Sequence, residues 1–179
     1  APQSVPLALV DPVIDAVGLV AWRARRQSVV IAFHGEDLAG PRAPAALDRA
    51  RALPRIEGDP AELAQALLNL LVNALDALES VGAGAGRIDV ELEHREDELV
   101  LAVQDDGPGV SEELLPRVAD LFFTTKDAGK GTGLGLAIVH NVVAAHGGRV
   151  LLSNAKPRGL RVELRFRVAR GAERAGGAA

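Results

Sequence analysis

The segment Asp59–Ser80 (DPAELAQALLNLLVNALDALES) constrains the fold more than any other part of the chain. Asp59 suits a helix N-cap, Pro60 suits the first turn, where an amide donor is dispensable, and Glu62 holds the capping-box position. From there Leu63, Leu67, Leu70, Leu71, Ala74, Leu75 and Leu78 recur at spacings of three and four, which defines a buried stripe. Glu62, Gln65, Asn69, Asn73 and Asp76 follow the same spacings on another face. The pattern predicts a helix to about Ser80 whose polar stripe meets water or a ligand. Asparagine is disfavoured inside helices, so two of them four residues apart need a reason. Their amides project from one face, and amide oxygens are hard ligands suited to Mg2+. For the stripe alone, a solvated face is the plainer alternative.

The remaining pattern mixes helices and strands. Asp11–Gln27 reads as a helix with Val13, Ile14, Val17, Val20 and Ala21 on one side, and Ser28–Phe33 as a strand. Residues 34–55, rich in Pro, Ala and Arg, read as a loop with a short strand near Ala52. Arg87–Glu93 and Glu98–Val103 alternate polar and apolar residues, as adjacent antiparallel strands joined by a charged turn do. Ser111-Glu112-Glu113 begins a short helix, and residues 120–132 show no period. A helix follows from Gly133 to His146, ended by Gly147-Gly148, and Arg149–Ser153 and Leu160–Val168 read as two more strands. Three long helices and five strands, with strands often adjacent in sequence, predict an α+β fold with helices covering one face of a mixed sheet. The expected domain is 1–170, with a disordered tail over 171–179.

Composition narrows the function classes. The net charge of -4, with both signs interspersed, argues against a nucleic-acid binder that relies on a phosphate-seeking surface. The absence of cysteine excludes disulfides, zinc–thiolate sites and thiol nucleophiles. No run of 18 apolar residues and no basic-then-apolar N-terminal stretch occurs, so neither a membrane span nor a signal peptide is expected. A chain without any Met reads as an excised piece, whose parent is free to carry a membrane anchor.

Two further segments carry chemistry. Val103–Val110 (VQDDGPGV) follows an apolar strand; its glycines permit close backbone approach, and a carboxylate at the strand end accepts from an exocyclic amine such as that of adenine. A tight turn is the alternative reading. In Gly129–Val139 (GKGTGLGLAIV), glycines lead into a helix start, where free amides and the helix dipole favour phosphate. The run is neither a Walker loop nor a Rossmann fingerprint, and alone it also fits a hinge.

In this order the three segments, with Leu121–Lys126 (LFFTTK) between the last two, resemble the N, G1 and G2 boxes and the F box and lid of the histidine-kinase ATP-binding domain. That domain belongs to the superfamily of gyrase and a heat-shock chaperone. The resemblance spans roughly residues 8–168, and NALDAL and FFTTK look most like the nitrogen-regulatory type. It implies a Bergerat-type two-layer α/β sandwich with a mobile ATP lid. By matching position, Asn73 would bind Mg2+, Asn69 would support metal or phosphate, and Asp76 would border the same site. Asp105 would accept from the adenine amino group, with Gly107, Gly109 and Val110 forming the adenine and ribose wall. Gly131, Gly133 and Gly135 would let the chain wrap the phosphates beside Thr132, Leu134 and Leu136. Thr124, Thr125 and Lys126 would belong to the lid, and either Lys126 or Lys130 would reach the γ-phosphate.

The sequence departs from the family at Ala119-Asp120, where Phe-Glu-Pro is frequent before FFTTK, and at Leu160, where a Thr hydroxyl usually joins the adenine network. Water-splitting relatives carry a Glu as general base four residues before the metal-binding Asn; Asn69 stands there and cannot take a proton. Slow hydrolysis and γ-phosphoryl transfer to a protein side chain are therefore expected. The acceptor would be a histidine on an N-terminal dimerisation domain of the same parent protein, which would pass the group to a response regulator. His34, His94, His140 and His146 lack the expected acceptor setting and read as structural or solvated; Trp22 and Phe33 read as core or docking residues. The piece is expected to be monomeric, cytoplasmic and free of membrane contact. The alternatives are an anti-sigma-factor-type serine kinase and a nucleotide-sensing module without catalysis.

Overall fold

The computed structural model describes residues 4–39, 43–82, 85–115 and 135–168. The elements in chain order are β1 (Val5–Leu7), α1 (Val10–Arg26), β2 (Val29–Phe33), β3 (Glu36–Asp37), α2 (Ala43–Arg51), β4 (Ile56–Gly58), α3 (Pro60–Ser80), β5 (Gly86–Arg95), β6 (Glu98–Asp105), α4 (Gly135–Ala145), β7 (Arg149–Asn154) and β8 (Leu160–Arg167). Six strands form one sheet in the order β3-β2-β5-β6-β8-β7, and β1 pairs with β4 in a small second sheet. β2 and β5 run parallel and every other neighbouring pair antiparallel, so the sheet is mixed.

Register explains why the helices cover one face. Ile88, Val90 and Leu92 on β5 pair across to Asp105, Val103 and Leu101 on β6. Leu99, Leu101 and Val103 pair in turn with Phe166, Leu164 and Val162 on β8. Side chains two apart on a strand share a face, so these rows form one continuous apolar surface. α3 packs between α1 and α4 over that surface. Its Leu63, Leu67, Leu70, Leu71, Leu75 and Leu78 are buried, as the sequence period predicts, each contributing roughly 1.5–3 kcal/mol. The opposite sheet face carries paired charges: Arg161 bridges Glu91 and Glu163, and Arg165 also reaches Glu163. By length and composition α3 is apolar enough to cross a membrane, a property the run-of-18 criterion did not register. Its apolar stripe is nevertheless turned into this core.

The mixed sheet and its helical layer match the α+β expectation. The stretch 34–55 differs. It contains α2, whose Ala43, Ala46 and Ala50 are buried at helical spacing, so alanine propensity prevails over the loop-like Pro and Arg content. The expected strand near Ala52 is displaced to β4, where Ile56 is buried against β1. At Ser111 there is a single turn, Leu114 and Leu115 both donating to the Ser111 carbonyl. The tail over 171–179 and the residues around Ala119 lie outside the described residues.

Candidate nucleotide site

Asp105 closes the core-facing row of β6. The alternation that aims Leu99, Leu101 and Val103 at the helices also aims this carboxylate inward, where it is 6% exposed. Buried carboxylates need donors. Oδ1 accepts from the amide of Gly107 at 2.9 Å and of Leu160 at 3.3 Å. Burial pushes the Asp105 carboxyl above its ordinary range, the two amides oppose this, and neighbouring Asp106 adds to the rise. Asp106 extends the β5–β6 pairing instead: Oδ1 accepts from the Arg87 amide at 2.8 Å, and its own amide donates to the Arg87 carbonyl.

The glycines after Asp105 are dictated by close approach. A Cβ on Gly107 would stand 2.8 Å from Asp105 Oδ1 and 3.5 Å from Ala77 Cβ on α3. Gly109, at φ +70°, would place one 2.8 Å from Asn154 Oδ1 and 3.0 Å from the Gly159 carbonyl. Val110 is tied to Asn154 twice, its amide donating to Oδ1 at 3.0 Å and its carbonyl accepting from Nδ2 at 2.6 Å. Gly159, at φ +108°, is pressed against the Asp105 carbonyl, and a Cβ there would overlap it. The β7–β8 turn thus braces the segment that carries Asp105. Leu160 has no hydroxyl, yet its backbone amide supplies Asp105 with a donor.

On α3 the polar stripe faces the start of α4. A Cβ on Gly135 would lie 3.0 Å from Asn73 Nδ2 and 3.3 Å from its Oδ1, so the first described turn of α4 sits directly on this amide. Asn69 lies one turn away; its buried Nδ2 has no partner among the described residues. Asp76, one turn further on, is paired with Arg23 of α1, which also reaches Glu79 at 3.0 Å. No cluster of three His, Cys, Asp or Glu side chains able to hold a metal occurs among the described residues. A hard cation held by an amide oxygen and ligand phosphates fits that donor set better than an all-protein cage. The open groove lined by Ala61, Glu62, Gln65, Asn141, Val142 and Ala145 lies at the other ends of α3 and α4 and contains none of these groups.

A buried acceptor at a strand end, glycines shaped around it and an Asn-bearing helix packed against Gly135 of α4 form one constellation. The model of the histidine kinase-, DNA gyrase B- and HSP90-like ATPases matches residues 58–170, which contain all of it. The chain belongs to this ATPase family. It is 38% identical over 155 residues to the C4-dicarboxylate transport sensor protein DctB of Pseudomonas aeruginosa, covering 86% of this chain and 22% of that one. To the sensor histidine kinase ZraS of Escherichia coli it is 38% identical over 107 residues, 60% of this chain and 22% of that one. The chain therefore spans about a quarter of the length of the curated relatives it matches. Among solved structures, a nucleotide-free catalytic domain of histidine kinase ThkA superposes with TM-score 0.71 at 25% identity, covering 93% of this chain and 96% of that one. Full-length ShkA in complex with AMPPNP gives TM-score 0.71 at 27% identity, covering 94% and 32%.

Within this ATPase domain the structure brings Asn69, Asn73 and Asp76 onto one helix, Asn73 against Gly135, and Asp105 together with Gly107, Gly109 and Val110 at the sheet end. Leu136 packs against the core. Thr124, Thr125, Lys126, Lys130, Gly131, Thr132, Gly133 and Leu134 lie outside the described residues. Sequence reasoning missed Arg23 and Asn154. Arg23 lies 53 positions from Asp76, a separation that no local period signals. Of the aromatic pair, Phe33 is fully buried and Trp22 is 64% exposed. His146 is structural: it accepts from the Asp59 amide at Nε2 (2.9 Å), and its Nδ1 lies 2.7 Å from the Val142 carbonyl.

Proposed function

We propose that this domain binds ATP with Mg2+ and transfers the γ-phosphoryl group to a histidine on a separate dimerisation domain of the same parent protein. The observation that carries the reading is the chemistry of the α3 stripe. Amides stand at Asn69 and Asn73, and the carboxylate one turn further on, Asp76, is engaged by Arg23. Among the described residues, neither Asn69 nor Asn73 is suited to deprotonate water, whereas a phosphoryl transfer that rests on positioning and charge stabilisation needs no such base. The relatives named as sensor histidine kinases support the same reading.

Asp105 would accept the adenine amino group, and the backbone amides and dipole of α4 would favour phosphate. Asn73 would hold Mg2+ with support from Asn69, and the ion would supply positive charge that offsets the charge of the phosphates. In the transfer the bond between the γ-phosphorus and the bridging oxygen of ADP breaks, a bond to an imidazole nitrogen forms, and ADP leaves. The domain would act as a monomer on the cytoplasmic side, with the group passing on to a response regulator.

Incubation with γ-labelled ATP, Mg2+ and the parent's dimerisation domain tests this. The expected product is an acid-labile, base-stable phosphohistidine on the supplied domain, with slow phosphate release when that domain is withheld. Label on serine, or fast phosphate release without an acceptor, would contradict it.

A further inference from the structure

We infer that Asn154 is a positioning residue for the nucleotide: its side-chain amide fixes the end of the adenine wall by acting as a strand partner for Val110. The inference rests on the ATP-binding reading above and deepens it.

Asn154 is the last residue of β7 and pairs with Leu160 across the turn. Alternation along β7 puts its side chain on the face shared by Val150 and Leu152, one step past the end of the apolar core. There it meets Val110 with both of its functions: Oδ1 accepts from the amide at 3.0 Å, and Nδ2 donates to the carbonyl at 2.6 Å. This two-point pattern is how one β-strand holds its neighbour, and it fixes both the position and the orientation of the Val110 peptide groups. The amide is the shortest side chain that provides a donor and an acceptor side by side. Gly109 is shaped to admit it, because any Cβ would push Oδ1 away.

The same turn reaches Asp105 by two further routes. Leu160, the strand partner of Asn154, donates to Asp105 Oδ1, and Gly159 packs on the Asp105 carbonyl. One short turn therefore holds both ends of the segment from Asp105 to Val110. Without the Asn154 clamp, Val110 loses both of these hydrogen bonds, and the wall must be ordered when nucleotide binds, which weakens affinity.

Calorimetric titration of this domain with ATP and Mg2+, together with unfolding of the nucleotide-free protein and amide exchange at Val110, separates positioning from mere stability. Asn154→Leu, which removes both bonds, is expected to bind about tenfold more weakly with faster Val110 exchange. Asn154→Gln, which keeps the amide on a longer stem, should fall between it and the wild type. Nucleotide-free unfolding midpoints should change far less than the affinity does. If Asn154→Leu fails to fold, the comparison of Asn154→Gln with the wild type carries the test. Variant affinity equal to that of the wild type despite faster Val110 exchange would overturn the inference alone. Failure of the wild type to bind ATP would overturn both this inference and the ATP-binding reading.

Discussion

Burial raises the Asp105 carboxyl above the usual aspartate range because desolvating the charge costs more than the Gly107 and Leu160 amides restore. The unfolded chain releases this proton at the ordinary value, so between the two values the folded state holds a proton the unfolded state lacks. Stability therefore falls as pH rises through that window and stays lowered above it. Asp105→Asn removes the buried charge while leaving an oxygen to accept from the same amides. The nucleotide-free variant is expected to be at least as stable as the wild type at neutral pH and to lose this pH-dependent drop, as followed by denaturant midpoints across the acidic range. Glu163, which despite its burial is held below its usual range by Arg165 and Arg161, acts in the opposite sense, so the comparison is between wild type and variant. An identical pH dependence in the two, or a markedly destabilised variant, would contradict this account of the carboxylate. With Asp105 as the proposed acceptor of the adenine amine, affinity should decline on acidification at a higher pH than an ordinary aspartate would dictate.

Among the elements, α4 is fixed at both ends against α3. Gly135 rests on Asn73 at one end, and at the other His146 accepts from the Asp59 amide beside the α3 N-cap. Asp59 itself accepts from the amides of Ala61 and Glu62, so one short segment caps α3 and anchors α4. A Cβ on Gly58 would lie 2.6 Å from His146 Cδ2 and 3.2 Å from Leu63 Cδ1. Gly58→Ala should therefore displace the ring and destabilise by about 1–3 kcal/mol in denaturant unfolding; an unchanged midpoint would show that the anchor yields freely. Elements with strong local signals were legible in the sequence. The α3 cap and stripe, the β5 alternation and the Gly-Gly stop after α4 all follow from residues within one or two turns of each other. β6, by contrast, is buried on both faces from Leu99 to Val103 and does not alternate as expected. α2 was not legible, because its buried face is three alanines among Pro and Arg, too small an apolar signal to distinguish from a loop. The Asn154 clamp spans 44 positions and the Arg23 bridge 53, and neither leaves a periodic trace.

For the whole molecule, one sheet face is apolar and carries the helices, while the other carries paired Arg and Glu around the buried Val100 and Ala102 of β6. Exposed or half-exposed pairs of this kind contribute little each, so the helix-facing core holds the fold. That core ends at Asp105, and the site lies where apolar packing stops and the α3 amides begin. The central claim is that this carboxylate reads the adenine amino group. Calorimetric titration with ATP and with GTP, both with Mg2+, tests it on the wild type and Asp105→Asn. The account predicts that the wild type binds ATP and not GTP, whose ring presents a carbonyl where adenine presents the amine, and that the variant loses ATP by at least about tenfold. Equal ATP affinity in wild type and variant, or GTP bound as tightly as ATP, would contradict it.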